Sequence, residues 1–203
     1  MALVVIGGHS RSVGKTSVVA GLIEALPERR WTAVKITQFG HGICSVNGEA
    51  CDCAPDQHTW SITAERDRSG DSDTSRFLVA GAERSLWVRT KQGYLAEAMP
   101  DLRRELAAAE DVILESNSVL RFLHPDLYLP VLDSAISDFK QSAREFLDLA
   151  DGLIVRQPLF DDTQPAWDGI APKLLQGKPV FHIRPPQYVT TEIVEFVRQR
   201  LGT

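Results

Sequence analysis

Gly14, Lys15 and Thr16 follow a stretch rich in small residues, Gly7-Gly8-His9-Ser10-Arg11-Ser12-Val13, and lead into the apolar run Ser17-Val18-Val19-Ala20-Gly21-Leu22-Ile23. Residues of these types in this order suit the gripping of a polyphosphate. Small residues let successive backbone N–H groups curl around an anion, and the following helix adds its positive end. A lysine ammonium neutralises the β/γ oxygens, and a threonine hydroxyl ligates Mg²⁺. The predicted nucleotide-binding set is Gly8, Ser12, Val13, Gly14, Lys15, Thr16 and Ser17, with ATP or GTP as ligand and Mg²⁺ as cofactor. No Asn-Lys-x-Asp guanine signature is present, so the base stays open. The glycine that usually stands five residues before Gly14 is here His9, with Gly8 one place earlier, which lengthens the loop by one residue.

A second acid is needed beside such a loop, to hold Mg²⁺ through water or to polarise an attacking water. Glu115, ending Val112-Ile113-Leu114, is placed for it, so Lys15 and Glu115 are the predicted catalytic pair and Thr16 and Glu115 the magnesium pair. Ser116 and Asn117 follow and are further candidates for the γ-phosphate side. Lys35 sits in the otherwise apolar Ala33-Val34-Lys35-Ile36-Thr37. Lysine is rarely buried unless paired, so it calls for a γ-phosphate, an anionic substrate or a structural carboxylate. Arg76 is a candidate for the same anions, and Arg11 and Arg76 are candidate charge-stabilising fingers, in cis or across a dimer.

Cys44, Cys51 and Cys53 form a Cys-x₆-Cys-x-Cys pattern, with His41 three residues upstream. Three thiolates and an imidazole complete a tetrahedral Zn²⁺ site, whereas an odd, clustered set is a poor disulfide framework. Small buried thiols and redox chemistry are the competing readings.

These residues must be positioned by a scaffold. Short β-branched runs over 2–6, 32–37, 85–90, 111–115, 127–132, 152–156 and 179–183 alternate with amphipathic stretches over 15–26, 94–110, 139–149 and 190–201. Strands apolar on both faces and separated by helices predict an α/β fold, with a mainly parallel sheet of about seven strands. Residues 39–73 break the rhythm and read as a Cys/His-containing insertion in a single domain spanning 1–203. A hydrophobic fraction of 43% in 203 residues sustains a core without disulfides. Lysine and arginine number 22 against 27 aspartates and glutamates, a net charge of −5 that removes the broad electrostatic reason to expect a nucleic-acid partner. No apolar run reaches the roughly 18 residues of a membrane span, and Met1-Ala2-Leu3-Val4-Val5-Ile6 lacks a secretory flank, so the expectation is a soluble cytoplasmic protein.

The lengthened loop resembles that of dethiobiotin synthetases and related P-loop NTPases of the signal-recognition, Min and biotin-synthesis class. Together with Lys35, Asp73-Thr74-Ser75-Arg76-Phe77-Leu78-Val79-Ala80-Gly81-Ala82 and Glu115, it resembles the molybdopterin-guanine dinucleotide biosynthesis adapter proteins of the MobB type. The likeness covers residues 2 to 116. It implies the three-layer P-loop NTPase fold, binding of ATP or GTP, slow hydrolysis if any, a homodimer, and a cofactor-maturation enzyme of molybdenum-cofactor synthesis as partner. The His-rich stretch usual in that family after the second strand is replaced by Gln38-Phe39-Gly40-His41-Gly42 and the cysteines. Three alternatives follow: an NTP-dependent metallochaperone using the cysteine cluster, an ATP-dependent ligase or small-molecule kinase, and a nucleotide-gated interaction module. If the cysteines hold zinc, alanine at Cys51 and Cys53 releases stoichiometric metal in elemental analysis; wild-type protein that neither carries nor takes up Zn²⁺ overturns the assignment.

Overall fold

The computed structural model describes residues 1–40, 59–156, 167 and 169–202. Eight strands form one sheet: β1 (Ala2–Gly8), β2 (Trp31–Phe39), β3 (Trp60–Ala64), β4 (Arg84–Lys91), β5 (Asp111–Glu115), β6 (Leu127–Asp133), β7 (Leu153–Arg156) and β8 (Val180–Ile183). Their order is β3-β4-β2-β5-β1-β6-β7-β8, and every pairing except β3 with β4 is parallel. The described helices are α1 (Lys15–Ala25), α2 (Asp73–Val79), α3 (Leu95–Leu106), α4 (Gln141–Arg144) and α5 (Thr191–Leu201), with short 3₁₀ turns at Ser118–Arg121, Leu147–Leu149 and Pro172–Leu174. No described helix is long and apolar enough to cross a membrane.

Strand alternation divides the core in two. Val4 and Ile6 of β1 and Ile113 of β5 face Val18, Val19, Leu22 and Ile23 of α1, Phe77 of α2 and Ile193 of α5. Leu3 and Val5, with Val112 and Leu114, face Leu95, Met99 and Leu102 of α3. The sheet is therefore covered on both faces, which is why its central strands read as unbroken apolar runs. Helix starts are supplied locally: the Ser72 hydroxyl accepts from Ser75 N at the start of α2, and Thr190 does the same for Ile193 N at α5.

All seven expected strands are present, and the eighth corrects the sequence expectation. β3 lies inside the 39–73 stretch and pairs antiparallel at the sheet edge. Trp60 and Ile62 pack on the core while Ser61 and Thr63 accept from the Arg89 guanidinium, each at 3.2 Å. That two-residue alternation is the signature of a half-buried antiparallel edge rather than of a buried parallel strand. β2 also extends to Phe39, into the same stretch. The single helix expected over 139–149 is instead α4 and a 3₁₀ turn. Lys140 N donates to His9 O at 2.8 Å, which holds Lys140 extended and delays the helix.

Leu22 is fully buried between α1 and the sheet. Leu22→Ala is expected to cost about 2–5 kcal/mol of stability, the usual range for a leucine truncated in a packed core, read as a lowered denaturant midpoint with unchanged slope.

Candidate functional site

β1 ends in the middle of the sheet, so its C-terminal edge opens between β5 on one side and β6 on the other. Ligands of open parallel sheets bind at such an edge. Gly7 and Gly8 carry the chain out of β1 against Asn117, whose amide accepts from Gly8 N and donates to Gly8 O, both at 2.9 Å. A Cβ at Gly7 would lie 2.2 Å from Asn117 Oδ1, so no larger residue fits there. Gly14 ends the loop with φ 103°, a conformation that favours glycine, and the ring of Tyr188 closes over its open side at 2.5 Å from where a Cβ would stand. Ser12 has φ 57° and is the one described non-glycine residue in the left-handed region.

His9, at the usual glycine position, is fully buried and anchors the loop to the segment after β6. Asp133 N donates to its Nε2 at 2.8 Å, and its Nδ1 lies 2.8 Å from Asp138 O. An amide can only donate, so Nε2 is the acceptor and the proton belongs on Nδ1. The ring packs against Phe139 and Trp167, with centroids at 5.1 and 6.0 Å, while Trp167 Nε1 donates to Asp133 O at 3.0 Å. Burial lowers the His9 pKa from its ordinary 6.5, against the opposing effects of Asp138 and Asp133.

On the other side of the loop, register sets Lys35 of β2 directly beside Glu115 of β5. Lys35 Nζ donates to Glu115 Oε1 and Oε2 at 3.1 and 3.2 Å, to Thr16 Oγ1 at 3.4 Å, and to Asp73 Oδ2 at the start of α2. Thr16 Oγ1 donates to Glu115 Oε2 at 2.7 Å. Arg76, one turn along α2, donates to Ser17 Oγ at 3.1 Å and lies 3.9 Å from Asp73. Lys15 Nζ donates to Ser10 O at 3.1 Å, and burial pushes its pKa down to about 8.

Gly8, Ser12, Gly14, Lys15, Thr16, Ser17, Lys35, Arg76 and Glu115 all line one cleft of about 1210 Å³. Val13 is in the predicted set, but its side chain is fully buried in the core on the α1 face. Lys35 has structural carboxylate partners, Glu115 and Asp73. His41, Cys44, Cys51 and Cys53 lie outside the described residues. Among those described, no group of three or more His, Cys, Asp or Glu is arranged to hold a metal ion. The site residues that sequence reasoning passed over are Asp73, His9 and Lys140. A signal existed for Asp73, an acid just after the capping Ser72 and three residues before Arg76.

No family model matches the sequence, and no curated protein matches it. Among solved structures the chain is similar to the hydrogenase maturation factor HypB from Archaeoglobus fulgidus, at 11% identity over 99% of this chain and 91% of that one, with a TM-score of 0.58. It is also similar to HypB from Helicobacter pylori in complex with nickel, at 14% identity over 98% of this chain and 85% of that one, TM-score 0.53. MobB from Bacillus subtilis matches at 14% identity over 98% of either chain, TM-score 0.43. The likeness is one of fold: this chain has the mainly parallel α/β fold of the P-loop NTPases.

Because folding keeps His9 neutral while the unfolded chain protonates it near pH 6.5, the contribution of His9 to stability is complete above that pH. It is lost as pH falls from 6.5 through the lower folded-state value. Wild-type denaturant midpoints are expected to drop more between pH 7.5 and 5.5 than those of His9→Gln; equal drops would exclude His9 as the titrating group.

Proposed function

We propose that this chain is a Mg²⁺-dependent nucleoside-triphosphate-binding protein of slow turnover that serves the maturation of a metal-containing cofactor, as MobB-type adapters do. The observation that carries the reading is the convergence of Thr16, Glu115, Asp73 and Lys35 beside a loop built for phosphate. The nucleotide-binding and magnesium assignments for Gly8, Ser12, Val13, Gly14, Lys15, Thr16, Ser17 and Glu115 belong to this proposal, as does a single domain over 1–203 working as a homodimer with a maturation enzyme.

The oxygen donors present fit Mg²⁺, a hard cation that takes carboxylate and hydroxyl oxygens. Thr16 and Glu115 would hold it, and its charge would offset that of the phosphates. Lys15 supplies the fixed positive charge at the loop. The Lys35 ammonium stands between the two carboxylates and the Thr16 hydroxyl, beside the residues that would hold the cation. Arg76 is held on Ser17 and Asp73, within reach of the same phosphates. In phosphoryl transfer the protein mainly positions groups and stabilises charge. In the free protein both Glu115 oxygens are engaged by Lys35 and Thr16, so Mg²⁺ would have to take over these contacts.

A second reading, an NTP-dependent metallochaperone, is favoured by the Cys44, Cys51, Cys53 and His41 pattern and by the shared fold with the nickel complex of HypB. Metal uptake whose stoichiometry changes with the bound nucleotide would select it over the first. A ligase or kinase reading would require turnover dependent on a small acceptor.

Lys15→Ala is expected to abolish binding of Mg²⁺-nucleotide in calorimetry while leaving the denaturant midpoint near wild type; unchanged affinity would defeat the assignment. Binding phosphate favours the charged lysine. With the Lys15 pKa near 8 in the free protein, wild-type affinity is expected to weaken as pH rises above that value, and Lys15→Arg, whose guanidinium stays charged, is expected to remove this dependence.

A further inference from the structure

Six cationic side chains line the cleft, those of Arg11, Lys15, Lys35, Arg76, Arg121 and Lys140, against two acids, Asp73 and Glu115. The acids are not shared evenly. Both bind Lys35, and Asp73 also faces Arg76, so the negative charge is spent on the β2 side of β1. Arg121 is paired outside the lining, through Nε to Glu145 at 3.0 Å. Lys15 belongs to the phosphate loop. Arg11 and Lys140 remain, and among the described residues neither side chain makes a hydrogen bond or ion pair.

Their placement is not that of two stray surface charges. Lys140 follows β6, on the opposite side of β1 from Lys35, and its backbone N donates to His9 O at 2.8 Å. His9 is itself tied to Asp133 and Asp138, so the segment bearing Lys140 is fixed to the loop that bears Arg11. Burial lowers the Lys140 pKa and the charge of Arg11 lowers it further, while Asp138 and Glu115 act to raise it. Two cations without side-chain partners among the described residues thus line one cleft on a segment fixed to the loop, and an oxyanion between them would gain charge-assisted hydrogen bonds from both. The wall also carries polar side chains, among them Ser118, Gln141 and Ser142. The cleft volume of about 1210 Å³ also exceeds the roughly 300–1,000 Å³ typical of a pocket for one small ligand.

We infer that Arg11 and Lys140 form a second anion subsite beside the nucleotide, one that receives the phosphate or carboxylate group of a small acidic co-ligand. The inference rests on the nucleotide reading for its neighbour but not for its residues. It gives the cleft a direction, with the triphosphate anchored on Lys15, Lys35 and Arg76 and the co-ligand's acid group held on the β6 side.

The test titrates orthophosphate, and malonate as the carboxylate arm, into protein saturated with Mg²⁺ and a non-hydrolysable triphosphate. Wild type is expected to bind one further anion. Lys140→Gln is expected to weaken it while keeping triphosphate affinity, and the double variant Arg11→Gln/Lys140→Gln to weaken it more than ~10-fold. Preference for one arm identifies the acid group. Wild type that binds no additional anion, or a double variant that binds it equally well, overturns the subsite. So does a double variant that loses triphosphate but not diphosphate affinity, since the pair would then serve the γ-phosphate. Lys15→Ala without nucleotide separates the two readings. Orthophosphate binding kept in Lys15→Ala and lost in the double variant supports the subsite even if the chain binds no nucleotide, whereas the reverse pattern places the anion in the phosphate loop and overturns it.

Discussion

Lys35 and Glu115 are adjacent across two parallel strands, and their side chains are only 18% and 6% exposed. Charges so far from water are tolerated only when they neutralise one another and their remaining hydrogen-bonding capacity is met. Here the requirement is met by elements from across the fold. Thr16 satisfies one Glu115 oxygen from the first turn of α1, and Asp73 satisfies the ammonium from the first turn of α2. The N-termini of both helices, the C-terminal end of β5 and the middle of β2 are therefore bound into one cluster. Removing Lys35 leaves Glu115 buried without a countercharge, a penalty that commonly reaches about 3–5 kcal/mol for a buried pair. Any ligand that enters this cluster must accordingly supply compensation of its own, as a phosphate with its cation does.

The parallel part of the fold was legible because burial on both faces writes continuous apolar runs into β1, β2, β5 and β6. β3 was not, since an edge strand needs only Trp60 and Ile62 on its inner side, and its other side is written in serine and threonine that read as loop. Glu115 and Lys35 stood out as charges interrupting apolar strands. The roles of Asp73 and His9 did not, because they are created by partners distant along the chain. Lys35 is 38 residues from Asp73, and His9 meets the Asp133 amide 124 residues away. Helical or strand periodicity carries no record of such pairings.

The longer glycine-rich loop after β1 acquires a physical meaning from His9. A glycine at that position would bring only backbone, whereas the imidazole uses both nitrogens to bind the segment after β6 and lays its ring on Phe139 and Trp167. Asn117 performs the matching task on the β5 side, with two bonds to Gly8. The glycines allow the backbone to curl, and these two side chains fix how it curls, so the loop is preorganised by neighbours rather than by its own sequence. Preorganisation of this kind reduces the ordering cost at the moment of binding.

That framework also explains how an acidic protein maintains a cationic cleft. The chain carries a net charge of −5, yet one mouth at the strand ends collects Arg11, Lys15, Lys35, Arg76, Arg121 and Lys140. Pairing consumes the acids that line it at Lys35 and Arg76 and leaves the loop and the β6 side positive. A concave site with low-dielectric walls focuses such a field and raises the local concentration of anions. A small anion that can enter the cleft therefore meets the combined field of its cations.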